Sequence, residues 1–131
     1  MAFNSLGAYA SINHLHFQGF VRETPFPVEL PRWQHRGGGE AYPLECWHTT
    51  STQDSWQMIE SLHRTNQPYN LLYRANGCYI LTRKGQGMVT LPNWAQGIAW
   101  HEVCGVFTLA DRHLLGETGA EISLQLAKLH H

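Results

Sequence analysis

The 131-residue chain lacks a long apolar run, an excess of charge of either sign and a cysteine-rich pattern. A membrane-spanning helix needs about 18 consecutive apolar residues, whereas the apolar stretch around Val103–Leu109 is broken by Gly105 and Thr108. Lys and Arg number 9 against 10 Asp and Glu, so the basic excess of a typical nucleic-acid binder is missing. We therefore expect neither a membrane protein nor a nucleic-acid-binding protein.

The three cysteines, Cys46, Cys78 and Cys104, are odd in number and show no Cys-x-x-Cys spacing. This pattern disfavours both a disulfide scaffold and a cysteine-rich zinc site. The N-terminus also lacks the basic and apolar regions of a secretory signal peptide. The sequence therefore predicts a cytoplasmic protein.

Apolar residues and histidines are abundant: 43% of the residues are hydrophobic, only 15% are charged, and nine are histidines. Such a composition excludes a disordered chain, and the length suits one domain with a substantial core. We assign residues 1–129 to this single domain. His130 and His131, which follow it, are candidates for the remnant of a purification tag.

The pattern of apolar residues and turn signals predicts an α+β domain with a mainly antiparallel sheet and two helices. Strands are predicted over residues 12–22, 44–49, 69–74, 78–83 and 98–109. The third and fourth strands form a hairpin around Ala75-Asn76-Gly77. One helix is predicted to begin after Ser51 and to end at Asn66, and another to open with a capping box at Thr118–Glu121. Residues 28–42 are predicted to be a long flexible loop.

The most informative stretch is Ser11-Ile12-Asn13-His14-Leu15-His16-Phe17-Gln18. On a strand, the two-residue period places His14, His16 and Gln18 together on one face. The opposite face is apolar and is expected to meet the core; its residues are Leu15, Phe17 and Val21.

Three interpretations of this stretch are open. The histidines can be ordinary surface or packing residues. They can hold a metal, because two imidazoles two residues apart on a strand can reach one ion; however, Glu23 falls on the opposite face, and no rule ties His101 or His113 to such a site. They can also act in nucleotidyl transfer, with imidazole as the nucleophile.

The third interpretation is favoured because His14-Leu15-His16-Phe17-Gln18 resembles the motif of the histidine-triad superfamily. Gln in the third place is typical of its galactose-1-phosphate uridylyltransferase-like branch. Within that branch, Asn4–Ala8, Ile12–Gln18 and Pro25–Pro27 are similar to segments of the GDP-hexose phosphorylases. The resemblance implies a histidine-triad-like fold, with residues 1–129 corresponding to the C-terminal part of a longer enzyme.

The resemblance also implies roles for individual residues. His16 would attack the α-phosphate of a nucleoside diphosphate sugar or a dinucleotide, and the backbone carbonyl of His14 would hold its other ring nitrogen. Gln18 and Ser11 would contact phosphoryl oxygens, where fixed donors lower the barrier. Because Gln cannot act as a general acid, transfer to phosphate or to a sugar phosphate is favoured over hydrolysis. This scheme requires no metal and no cofactor.

Other residues are weaker candidates. Asn4 and Ser5 are candidates to line the phosphate pocket, and would otherwise form a turn. Arg32 and Arg36 could clamp a phosphate, although a solvated loop is the simpler interpretation. His101 is expected to be packed or at the surface.

The enzymes that the chain resembles have substantial sequence before the motif. We therefore expect a fragment of a longer protein, a homo-oligomer that pairs through an exposed sheet edge, or a reduced relative that binds without turnover. The expected partners are a nucleotide-sugar or dinucleotide substrate, phosphate and a second copy of the chain. A dimeric, non-catalytic module that binds a nucleotide or a protein is the alternative to an enzyme.

Overall fold

A computed structural model describes residues 1–12, 14–109 and 118–131. Within these ranges the strands are β1 (Ala2–Asn4), β2 (Cys46–Thr49), β3 (Tyr69–Arg74) and β4 (Gly77–Thr82). The α-helices are α1 (Thr52–Arg64), α2 (Trp100–Val103) and α3 (Thr118–Lys128). Single turns of 3₁₀ helix cover Pro27–Glu29, Gln34–Arg36 and Asn93–Ala95. The α+β architecture is confirmed, with one short helix more than predicted in the described ranges.

The strands form one antiparallel sheet in the order β1-β3-β4-β2. The predicted hairpin is confirmed, with Tyr69 opposite Thr82 and Arg74 opposite Gly77. Gly77 has a φ of 129°, and a Cβ atom there would lie 2.4 Å from the carbonyl oxygen of Thr49. Both the turn and the close approach of β2 therefore require glycine at this position.

Helix α1 begins where its capping signal predicts. The Ser51 hydroxyl accepts a hydrogen bond of 3.1 Å from the backbone N–H of Asp54, which satisfies one of the free donors of the first turn. Ile59 and Leu62 lie on its buried face. They pack in one cluster with apolar side chains of the sheet: Phe3, Tyr69, Leu71, Cys78 and Ile80.

The opposite face of the sheet carries the larger core. Leu72, Tyr79 and Leu81 project into it from β3 and β4. The elements that cover this face contribute Phe26, Val28, Leu44, Ile98, Trp100, Val103, Leu126 and Leu129. The three cysteines are all free, and Cys78 and Cys104 are buried. In the described ranges, no helix has both the length and the apolar character that crossing a membrane demands.

The predicted strand over residues 12–22 is wrong. Among the described residues of that range only Gln18 pairs with the sheet, in an isolated bridge to Ala2. Asn13 lies outside the described residues. Since β1 is only three residues long, its outer edge is too short to template a strand of the predicted length.

The prediction that one face of this segment meets the core is wrong for the same reason. Leu15, Phe17 and Val21 are 73%, 45% and 100% exposed. Phe17 keeps an aromatic contact with Phe3, with ring centroids 5.5 Å apart. The segment therefore lies along the edge of the sheet with its apolar side chains largely in solvent.

The predicted strand over 98–109 is also wrong, because this range contains α2. Glu102 accepts a hydrogen bond of 2.9 Å from the backbone N–H of Ala99 and so closes the first turn of the helix. Gly105, with a φ of 94°, follows the helix in a left-handed conformation.

The predicted loop over residues 28–42 needs correction, and the predicted cap of the last helix is not tested. Residues 28–42 are more regular than the predicted loop, because the buried Trp33 indole donates a 2.6 Å hydrogen bond to the carbonyl of Pro27. The helix predicted to open at Thr118–Glu121 is present as α3. Its predicted cap stays a prediction, because the side chain of Thr118 and residue Glu117 lie outside what the structure describes.

Candidate functional site

The histidine-bearing segment lies against the outer edge of β1. After β1 ends at Asn4, the chain reverses through a turn in which Gly7 and Tyr9 have φ values of 78° and 65°. It then returns antiparallel to β1 as far as the bridge at Gln18, whose backbone exchanges hydrogen bonds of 2.9 and 2.8 Å with Ala2. The sheet edge therefore fixes one end of the motif, and the turn fixes the other.

The two histidines of the motif are in contact. Nδ1 of His16 lies 3.1 Å from the backbone carbonyl oxygen of His14, and the two ring centroids are 5.5 Å apart. A carbonyl oxygen can only accept, so Nδ1 of His16 carries the hydrogen in this contact. In the neutral ring, Nε2 then holds the lone pair. The His16 side chain is only partly buried.

Gln18 is held by a residue that the sequence did not single out. Its side-chain oxygen accepts a hydrogen bond from the indole N–H of Trp100, 82 positions later in the chain. Trp100 is itself stacked on Phe20, with ring centroids 5.1 Å apart. Since the oxygen of the carboxamide is occupied, its NH₂ group remains as the donor of Gln18. No sequence signal links Trp100 to the motif.

Asn4 and Ser5 are buried, and their oxygens serve the framework. Oδ1 of Asn4 accepts from the side chain of Asn70 at 2.7 Å and from the backbone N–H of Trp100 at 2.9 Å. The Ser5 hydroxyl accepts from the backbone N–H of Tyr69 at 2.8 Å. These bonds join the start of the chain to β3 and α2.

Ser11 is exposed, and no hydrogen bond among residues 1–12, 14–109 and 118–131 involves its hydroxyl. It therefore remains a candidate only by its place in the motif.

A cavity of about 220 Å³ lies between the start of the chain, the segment before His16 and the C-terminal end of α1. Asn4, Ser5 and His14 border it, so three of the predicted site residues meet there. His16, Gln18 and Ser11 are not among its lining residues. The remaining walls are Phe3, Leu6, Ala10, Ile12, Leu15, Leu62, His63, Asn66, Gln67 and Tyr69.

The other predicted candidates are held away from the motif. Arg36 lies against His48 of β2, with Nη1 3.1 Å from Nδ1, and β2 is at the opposite edge of the sheet from β1. Arg32 stacks on Trp33, with its guanidinium carbon 4.2 Å from the ring centroid. His101 packs against the ring of Phe26 at 5.9 Å, which agrees with the expectation of a packed histidine.

In the ranges that the structure describes, no group of three or more His, Cys, Asp or Glu side chains is placed to hold one metal ion. His113, a candidate ligand in the metal interpretation, lies outside those ranges.

Comparison with known proteins gives a short but close match. The chain is 59% identical to GDP-L-galactose phosphorylase 1 of Arabidopsis thaliana over 29 residues, and 55% identical to GDP-L-galactose phosphorylase 2 over the same length. This segment is 22% of the chain and 7% of each relative. No family model matches the chain, and no solved structure matches it. One segment of the chain is therefore similar to a segment of these two GDP-L-galactose phosphorylases.

Proposed function

We propose that this chain provides the nucleophilic histidine of a nucleotidyltransferase that acts on a nucleoside diphosphate sugar, or a related dinucleotide, with phosphate as the acceptor. The observation that carries the proposal is the contact between Nδ1 of His16 and the carbonyl oxygen of His14 at 3.1 Å. It holds the ring in one orientation and leaves Nε2 with its lone pair. The 29-residue similarity to two GDP-L-galactose phosphorylases supports this substrate class.

The reaction has two displacement steps. In the first, the Nε2 lone pair of His16 attacks the α-phosphorus, an N–P bond forms, and the bond to the bridging oxygen breaks. Hexose 1-phosphate leaves with that electron pair. In the second, an oxygen of inorganic phosphate attacks the same phosphorus, and the N–P electron pair returns to Nε2 as the nucleoside diphosphate departs. The covalent intermediate divides one difficult displacement into two easier ones.

The protons stay in place during both steps. Nδ1 of His16 keeps its hydrogen throughout. The carbonyl oxygen of His14 accepts a hydrogen bond from this N–H, which stabilises the positive charge of the nucleotidylated ring. The NH₂ group of Gln18 would donate to a phosphoryl oxygen, with Trp100 holding its carboxamide. Loss of one such donor typically slows a reaction about 10²–10³-fold.

The test is phosphorolysis of labelled GDP-glucose or GDP-L-galactose by the full chain. We expect His16→Ala to abolish turnover and Gln18→Ala to slow it about 100-fold. His130→Ala is the matched control, because Nδ1 of His130 also lies near a backbone carbonyl oxygen, at 2.8 Å. Turnover that survives in His16→Ala, or that is absent from the unmodified chain, contradicts the proposal.

A second candidate function is a binding module that pairs with a second copy of itself. The observation that favours it is the row of exposed apolar side chains along the edge segment, above all Val21 and Leu15. An edge segment can pair with its own copy around a two-fold axis.

Sedimentation velocity tests this second candidate. We expect a concentration-dependent dimer that Leu15→Glu disrupts and that Leu124→Glu does not, since Leu124 is exposed on α3. A monomer at all concentrations, or equal behaviour of the two variants, contradicts pairing through this edge.

A further inference from the structure

The cavity beside His14 has no role in the two displacement steps, and we propose that it binds the base of the nucleotide. This inference rests on the proposed function, because it assumes that the phosphate of the same ligand meets His16. The cavity and the nucleophile are neighbours: His14 borders the cavity, and its ring centroid is 5.5 Å from that of His16. A nucleotide whose α-phosphorus lies at His16 therefore has this cavity within reach of its base.

The walls of the cavity suit a flat aromatic group. Six of them are apolar: Phe3, Leu6, Ala10, Ile12, Leu15 and Leu62. Three of these six are exposed: Ile12 at 49%, Leu6 at 66% and Leu15 at 73%. A base that covers them removes apolar area from water. A hexose carries hydroxyl groups all around its ring, and burying these against the same side chains is unfavourable.

One margin of the cavity is polar, as the edge of a base requires. Asn66 borders the cavity with a carboxamide that has one acceptor and one donor group. No hydrogen bond between described residues involves this side chain. A nucleobase presents a donor beside an acceptor, and a carboxamide can pair with both at once. Gln67 is less suited to pair with a base, because its NH₂ group already donates a hydrogen bond of 2.8 Å to the carbonyl oxygen of Arg83.

His63 adds a second polar group at the same margin. Its Nε2 lies 2.7 Å from the hydroxyl of Tyr69. Burial raises the pKa of Tyr69 to about 12, so this hydroxyl keeps its hydrogen near neutral pH. The contact holds the imidazole at the rim of the cavity, on the same helix end as Asn66.

Binding of nucleosides tests the inference without any reaction at His16, because a nucleoside has no phosphate. We would titrate the full chain with guanosine, adenosine and uridine and follow the methyl NMR signals of Ile12, Leu15 and Leu62. At least one nucleoside is expected to shift these signals, and glucose 1-phosphate is expected to leave them unchanged. His16→Ala should bind that nucleoside within about 2-fold of the unmodified chain.

Two variants alter the site in different ways. Leu6→Trp fills the mouth of the cavity from an exposed position and should weaken binding at least 10-fold; Leu124→Trp is the matched control on α3. Asn66→Gly removes the carboxamide but suits the left-handed φ of 52° at this position. It should weaken binding about 2- to 10-fold, the range for one ordinary hydrogen bond.

The outcomes separate the two proposals. If no nucleoside shifts the three methyl signals, or if neither Leu6→Trp nor Asn66→Gly weakens binding, the base site is wrong even when His16 proves to be the nucleophile. If nucleosides bind as expected but His16→Ala retains phosphorolysis, the base site stands as a nucleoside-binding site and the proposed mechanism is wrong.

Discussion

At the scale of single residues, one oxygen atom connects three elements of the fold. Oδ1 of Asn4 accepts hydrogen bonds from Asn70 on β3 and from the backbone N–H of Trp100 at the start of α2. Both asparagines are buried. Because Trp100 also holds Gln18, the same oxygen contributes to positioning the motif.

We predict that Asn4→Leu lowers the free energy of unfolding by about 2 kcal/mol or more. The substitution leaves two buried N–H groups without an acceptor, and each such group costs about 1–3 kcal/mol. Urea denaturation measures the change. Asn93→Ala is the control, because Asn93 is exposed and a surface substitution stays within about 0.5 kcal/mol. Equal free energies of unfolding for the two variants would contradict a stabilising role of the Asn4 hydrogen bonds.

The residue contacts differ in how far a sequence can predict them. The bond between His16 and His14 joins positions two apart, and the resemblance of the motif to the histidine-triad superfamily implies it. The bond between Gln18 and Trp100 spans 82 positions, and Trp100 lies in a range with an apolar pattern that resembles a strand. Only the folded chain brings these two residues together.

At the scale of elements, β2 and the turn at Gln34–Arg36 form a contact that depends on uncharged histidines. His48 donates from Nε2 to the carbonyl of Asn76 at 2.9 Å, and its Nδ1 faces Nη1 of Arg36 at 3.1 Å. His35 lies in the same turn and bonds the carbonyl of Val28 at 2.8 Å. Burial is the main cause that lowers the pKa of both rings. The charges of His48 and then Arg36 lower the pKa of His35 further, and the charge of Arg36 does the same for His48.

We predict that this contact weakens in mild acid. The pKa of each ring is lower in the folded chain than its ordinary value of 6.5, so the unfolded chain binds more protons below that pH. The stability that the neutral rings provide is complete above about pH 6.5 and is lost as the pH falls. A double variant, His35→Gln with His48→Gln, should therefore lose less stability on acidification.

The measurement is the midpoint of urea denaturation at about pH 7.5 and about pH 5.5, on either side of the ordinary histidine pKa. His130→Gln, a change at an exposed histidine, should leave the pH dependence of the unmodified chain intact. An equally steep fall in the double variant and in the unmodified chain would contradict the assignment to these two rings.

The elements that the sequence predicts correctly carry their signals locally. The hairpin follows from Asn76-Gly77, and α1 follows from the Ser51 cap and the spacing of Ile59 and Leu62. The strand predicted over 12–22 needs a long neighbouring strand, and the three residues of β1 do not provide one. An alternating pattern predicts that a segment can be a strand, whereas pairing depends on what lies beside it.

At the scale of the whole molecule, the candidate site forms where distant parts of the chain meet at one edge of the sheet. The cavity takes its walls from Phe3–Leu6, from the end of α1, and from the returning segment through Ala10, Ile12, His14 and Leu15. These parts converge because β1 pairs with β3, which follows α1. The motif could therefore be located in the sequence, whereas the cavity beside it could not.

The most direct test of the account is the location of a nucleotidyl group on the chain. The full protein is incubated with GDP-L-galactose or GDP-glucose in the absence of phosphate, and the modified residue is identified by tandem mass spectrometry at alkaline pH. The account predicts an acid-labile guanylyl group on His16 that disappears when phosphate is added. A guanylyl group on another residue, or an unmodified chain after prolonged incubation, would contradict it.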